Sequence, residues 1–150
     1  MPNSYTSLRY HVTFSTKNRF PLIPEDWRTD LYRYIGGIIR GQQGKLLEIG
    51  GRSDHLHLLF SMRADQALSE ILRQIKSDSS KWIHCRWVER RGFHWQRGFG
   101  GFTVSRSAED QIAAYIRNQK SHHRKMTFQE EFIKLLKAHE IDYDERYIWI

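Results

Sequence analysis

The chain has 150 residues, a formal net charge of +7 at neutral pH, and 39% hydrophobic, 27% charged and 13% aromatic residues. This length suits a single domain over residues 1–150 with its own core, and the hydrophobic share excludes a disordered chain. The positive balance favours a polyanionic partner, nucleic acid first, because clustered Lys and Arg displace counterions from phosphates.

The lone cysteine, Cys85, excludes an internal disulfide and a cysteine metal cluster, fits a reducing cytosol, and reads as a small semi-buried hydrophobe. The opening MPNSYTSLRYHVTF has no basic segment leading into an apolar one. No run approaches the ~20 apolar residues of a membrane span, so export and insertion are not expected.

Leu8, Tyr10, Val12 and Phe14 alternate with Arg9, His11, Thr13 and Ser15, which predicts a first strand with one buried and one polar face. Trp27, Leu31, Tyr34, Ile35 and Ile38 recur at helical spacing, with Gly36, Gly37 and Gly41 marking close packing or an early end. KLLEIGG and HLHLLFSM, joined by RSD, read as a hairpin. A second helix carries Leu68, Ile71, Leu72, Ile75 and Trp82 on one side and reaches Trp87. The Gly- and aromatic-rich stretch before Ser105 feeds a last strand at Phe102 and Val104. Ser107 and Asp110 suggest a capping box for a helix through IAAYIRNQKSHH, and Thr127 with Glu130 repeats the pattern before a short amphipathic helix bearing Phe128, Phe132, Leu135 and Leu136.

The order β-α-β-β-α-β predicts an α+β, ferredoxin-like or RRM-like antiparallel sheet with helices on one face, followed by a tyrosine-bearing helix and a tail helix. The first and third strands then lie side by side at the centre, and their polar faces form an open floor where function is expected.

His55 and His57 flank Leu56 on the third strand, so both project onto that floor roughly 6 to 7 Å apart at ~3.3 Å rise per residue, within reach of one metal ion. Tyr115 and Gln119 at i and i+4 share a helical face, which makes Tyr115 a candidate nucleophile and Gln119 a neutral oxygen ligand. His122, three residues beyond, and His11, on the neighbouring strand, are alternatives to Gln119 as third ligand. His84, His94 and His139 form no constellation. Arg9, Lys17, Arg19 and Arg52 border the floor and Lys76 and Lys81 lie on the second helix, all candidates for phosphate contacts.

Together RYHVTFSTKNRF, GGRSDHLHLLF, GFGGFTVS and YIRNQKSHH resemble the small single-tyrosine transposases of the HUH endonuclease superfamily, and the likeness spans nearly the whole chain. His55, Leu56 and His57 match the HUH triplet, and Tyr115 and Gln119 match the family's nucleophile and the glutamine four residues on. Ser53 departs from the proline that many relatives carry before the aspartate, at a position that is not a ligand.

The resemblance implies cleavage and rejoining of single-stranded DNA through a 5′-phosphotyrosine, with Mg²⁺ or Mn²⁺ as cofactor and DNA hairpins near the cleavage points. It further implies a homodimer whose tyrosine helix can serve the partner in trans, in the cytoplasm of a bacterium or archaeon. Three other readings follow from the same residues: a domesticated REP-associated tyrosine transposase, a non-catalytic single-stranded nucleic-acid-binding module, and a metal hydrolase with a water nucleophile.

Overall fold

The computed structural model describes residues 3–119 and 125–149, apart from the side chain of Val88. Strand β1 (Arg9–Ser15) is followed by helix α1 (Arg28–Gly41), the hairpin of β2 (Lys45–Gly51) and β3 (His55–Ser61), helix α2 (Leu68–Arg86) and strand β4 (Gly100–Thr103). Helices α3 (Glu109–Arg117) and α4 (Phe128–Ala138) follow among the described residues. The sheet order is β2-β3-β1-β4 with every neighbouring pair antiparallel. The predicted ferredoxin-like α+β topology is therefore present, with the first and third strands at its centre.

Strand alternation splits the sheet into two different surfaces. Val12, Phe14, Leu56, Leu58 and Phe60 face α1 and α2 and join Leu31, Ile35, Ile39, Ile71 and Ile75 in the main core, all of them fully buried. The opposite surface carries His11, Thr13, Ser15, His55 and His57, which pair across β1 and β3 as Thr13 with His57 and Ser15 with His55.

That second surface differs from the open floor expected. His11, Thr13, Ser15, His55 and His57 are all buried, because α3 packs on β2 and β3 and α4 closes over the histidines. The apolar stripe of α4 explains the closure: Phe128, Phe132 and Leu136 form a smaller core with Phe102 of β4, and a helix with such a stripe must bury it against another element.

Two glycines let the helices come this close. A Cβ on Gly50 would lie 2.4 Å from the Ile116 carbonyl oxygen of α3, and one on Gly100 would lie 2.7 Å from the Phe132 ring of α4. Neither distance is compatible with a side chain, so the bare backbone of β2 and β4 is what seats the roof.

Helix starts divide on the capping expectation. Thr127 and Glu130 form the full reciprocal box at α4. Ser107 and Asp110 do not: a 3-10 turn over Arg106–Ala108 carries the chain one residue further, Ala108 takes the N-cap position without a side-chain bond, and Glu109 and Asp110 fall in the first turn, where their charge favours the helix N-terminus. Helix α3 ends at Arg117, two residues before Gln119, sooner than its sequence pattern suggests. Cys85 is exposed rather than semi-buried, because it falls on the solvent side of α2.

Candidate metal and tyrosine site

His55 and His57 leave β3 side by side, and each ring is fixed from behind. Asp54 Oδ1 lies 2.7 Å from His55 Nδ1, and His11 Nε2 lies 2.9 Å from His57 Nδ1. Engaging Nδ1 in this way turns both Nε2 atoms inward, which is how metal-binding imidazoles are commonly oriented, and the Asp54 carboxylate, an acceptor, draws the proton of His55 to Nδ1.

Two oxygens meet those nitrogens. Gln119 Oε1 is 3.0 Å from His55 Nε2, and Glu131 Oε1 is 2.8 Å from His57 Nε2 and 3.6 Å from His55 Nε2. The other carboxylate oxygen, Oε2 of Glu131, accepts from Gln119 Nε2 at 3.2 Å and from the Tyr115 hydroxyl. One buried carboxylate thus gathers the histidine pair, the glutamine and the tyrosine.

The donor set suits a divalent cation. With Asp54 accepting from His55 Nδ1, the His55 Nε2 lone pair faces the lone pairs of Gln119 and Glu131, a crowd of acceptors that a cation relieves. Ligand atoms of His55, His57 and Glu131 lie within 4.8 Å of one another, and an ion with bonds of about 2.0–2.2 Å places adjacent ligands about 3 Å apart.

Glu131 was absent from the sequence-derived candidates. Its trace was legible in the α4 stripe, where Phe128, Glu131, Phe132 and Leu135 fall at i, i+3, i+4 and i+7: a carboxylate on an apolar face needs a buried partner. Asp54, read only as part of a tight connection, also belongs to the site. His11 stands behind His57 rather than beside it as a third ligand, and His122 lies outside the described residues.

Burial sets the protonation of this group. His11 is held neutral, its pKa lowered to about 3 by desolvation first and by His57 second. Tyr115 is pushed above the ordinary phenol range by burial first, then by its hydrogen bond to Glu131 and that carboxylate's charge, so it is a neutral phenol. Its ring stands edge-on to His57 at 5.8 Å, and Phe128 stacks on His55 at 4.8 Å.

The six basic candidates do not gather at one place. Arg52 and Arg19 line a cavity of about 560 Å³ that also includes Asp54 and Phe128, and Lys17 is exposed on the same 3-10 turn as Arg19. Arg9 pairs with Glu109. Lys76 and Lys81 belong to α2 on the far side of the sheet; the Lys76 ammonium donates to the carbonyls of Gln96, Arg97 and Gly98 at 2.9, 3.4 and 2.5 Å, whereas Lys81 is exposed. The rings of His84 and His94 meet edge-on, also away from the site.

Residues 4–119 match the model of the family described as IS200-like transposases. Two solved structures share the fold. A candidate transposase of Deinococcus radiodurans R1 is 21% identical with a TM-score of 0.65, covering 78% of this chain and 94% of that one. A REP-associated tyrosine transposase bound to a REP hairpin is 17% identical with a TM-score of 0.62, covering 81% and 72%. No curated protein matches by sequence.

Proposed function

The chain belongs to the IS200-like transposase family, and from that premise we propose that it cuts and rejoins single-stranded DNA through a 5′-phosphotyrosine at Tyr115, with Mg²⁺ or Mn²⁺ held by His55 and His57. The observation that carries this reading is the single carboxylate of Glu131, which touches both the Tyr115 hydroxyl and the histidine pair.

Gln119 and Glu131 supply the oxygen ligands beside the two imidazoles. When bound, the ion polarises the scissile phosphate and offsets the charge that develops on it. Tyr115 attacks the phosphorus, its proton passing to Glu131 Oε2. The new bond joins the Tyr115 oxygen to phosphorus, and the bond to the upstream 3′ oxygen breaks, that oxygen taking a proton from water to leave a free 3′-hydroxyl. No bond energy is lost, so a different 3′ end can reverse the step and complete a strand transfer.

His11 and Asp54 act as positioning residues, keeping the two Nε2 lone pairs on the site. Arg19 and Arg52 sit at the Asp54 end, where a DNA backbone leaving the site meets positive charge. Hairpins near the cleavage points remain part of the proposal, supported by the likeness to a hairpin-bound relative. That likeness also favours a second reading, a REP-associated enzyme using the same chemistry on dispersed repeats. The homodimer, with its tyrosine helix able to serve the partner in trans, rests on the resemblance; within this chain Tyr115 stands edge-on to His57. Among the described residues no helix is long and apolar enough to cross a membrane, and a cytoplasmic location is part of the same proposal.

The test is incubation of wild type and Tyr115→Phe with labelled single-stranded DNA from the gene's own flanks and Mg²⁺ or Mn²⁺, resolved on a denaturing gel. A metal-dependent adduct absent from the variant is expected. Cleavage that persists in Tyr115→Phe would instead mark a hydrolase using water.

A further inference from the structure

A cavity of about 300 Å³ opens between β4, the start of α3 and the end of α4, and Tyr115 forms part of its wall. We propose that this cavity takes one nucleobase of the DNA strand, from a nucleotide adjoining the phosphate that Tyr115 attacks. The proposal rests on the single-stranded DNA reading above and adds to it a specificity pocket.

The walls fit a base. His139 stacks on Phe102 at 4.3 Å and 23°, Phe102 lies 5.8 Å from the His11 ring, and His11 lies 6.3 Å from Tyr115. These four rings run in sequence around the cavity, with Ala108 and Leu135 among its aliphatic lining. Stacking on aromatic rings is the sequence-tolerant way in which proteins hold single-stranded bases.

The chemistry of the lining also favours a base over the backbone. Among the described residues it contains no Asp, Glu, Lys or Arg, so a phosphate finds no countercharge from them, whereas a neutral base costs far less than an anion to take out of water. Polar groups stand among the rings, as base pockets require. His139 donates Nδ1–H to the Leu135 carbonyl at 2.9 Å, which leaves Nε2 as the ring's other hydrogen-bonding atom, and Ser105 and Thr103 bring hydroxyls. The position of Tyr115 in the wall ties the pocket to the reaction: a base seated here keeps its own phosphate beside the nucleophile.

The experiment uses full-length protein without added metal and with chelator, so that no cleavage occurs. Oligonucleotides from the gene's flanks carry 2-aminopurine at each position in turn, and a second set carries a single abasic site. The expected result is fluorescence quenching concentrated at one position, where the abasic site weakens binding about 5- to 150-fold, the range equivalent to stacking one base. Ala108→Phe, which fills the cavity, should abolish that quenching. The abasic series leaves the protein unaltered and stands even if the variant misfolds.

Equal quenching at every position, no quenching at any, or a flat abasic scan overturns the pocket. Restoring Mn²⁺ separates the two claims. An adduct with a flat scan refutes the pocket alone, while position-specific quenching with no adduct upholds the pocket and refutes the phosphotyrosine reading.

Discussion

The Tyr115 hydroxyl donates to Oε2 of Glu131, while Oε1 of the same carboxylate lies 2.8 Å from His57 Nε2. The proposed nucleophile and the proposed metal ligands are therefore coupled through a residue of α4, an element that looks dispensable from its place after the ferredoxin-like core.

Glu131→Gln keeps the shape and removes the charge. Titration calorimetry with Mn²⁺ should show affinity reduced by about 10- to 100-fold or more, the scale set by disturbing groups around a metal centre. Unchanged affinity would mean that the carboxylate serves the tyrosine alone.

His11 holds His57 through Nδ1, and the substitutions His11→Ala and His11→Gln divide orientation from bulk. Alanine should weaken Mn²⁺ binding by roughly tenfold or more. Glutamine, whose amide can reach the same nitrogen, should restore part of it.

His11 also predicts an acid sensitivity. Its pKa falls from 6.5 unfolded to about 3 folded, so between those values the unfolded chain binds the extra proton, and stability drops as pH falls through that window. From pH 6.5 to 5 the loss from this residue is roughly 2 kcal/mol. Urea unfolding of metal-free wild type and His11→Gln at both pH values should show the variant losing less by about that amount.

The sheet, its strand order and the positions of His55, His57 and Tyr115 were legible because alternation and helical spacing are local patterns. The roof was not. Helix α4 reads as a tail until its stripe is asked what it covers, and Glu131 is one carboxylate among ordinary helix charges unless its place on that stripe is weighed. The convergence of Gln119 with Tyr115 was anticipated from i, i+4 spacing, yet α3 ends at Arg117; the two meet on Glu131, a tertiary contact that spacing does not encode. The Ser107 box failed because a 3-10 turn shifted the helix start.

Gly50→Ala tests how the tyrosine helix is seated. A Cβ 2.4 Å from the Ile116 carbonyl forces α3 away from β2, with a cost of about 1–3 kcal/mol typical of overpacking. Thermal unfolding should register the loss, and adduct yield should fall because Tyr115 rides on that helix.

Lys76 holds the segment at residues 96–98 through three carbonyls while burial pulls its pKa down to about 8. Lys76→Met should destabilise by about 1–3 kcal/mol through unsatisfied carbonyls, with single-stranded DNA affinity little changed. A large loss of affinity at unchanged stability would restore it as a phosphate contact.

The central claim is a covalent bond between DNA and Tyr115. Protein reacted with single-stranded DNA and Mn²⁺, digested with nuclease and trypsin, should yield one peptide carrying a nucleotide on Tyr115, together with a free 3′-hydroxyl on the released fragment. A nucleotide on another residue, or cleavage products with no modified peptide, would contradict it.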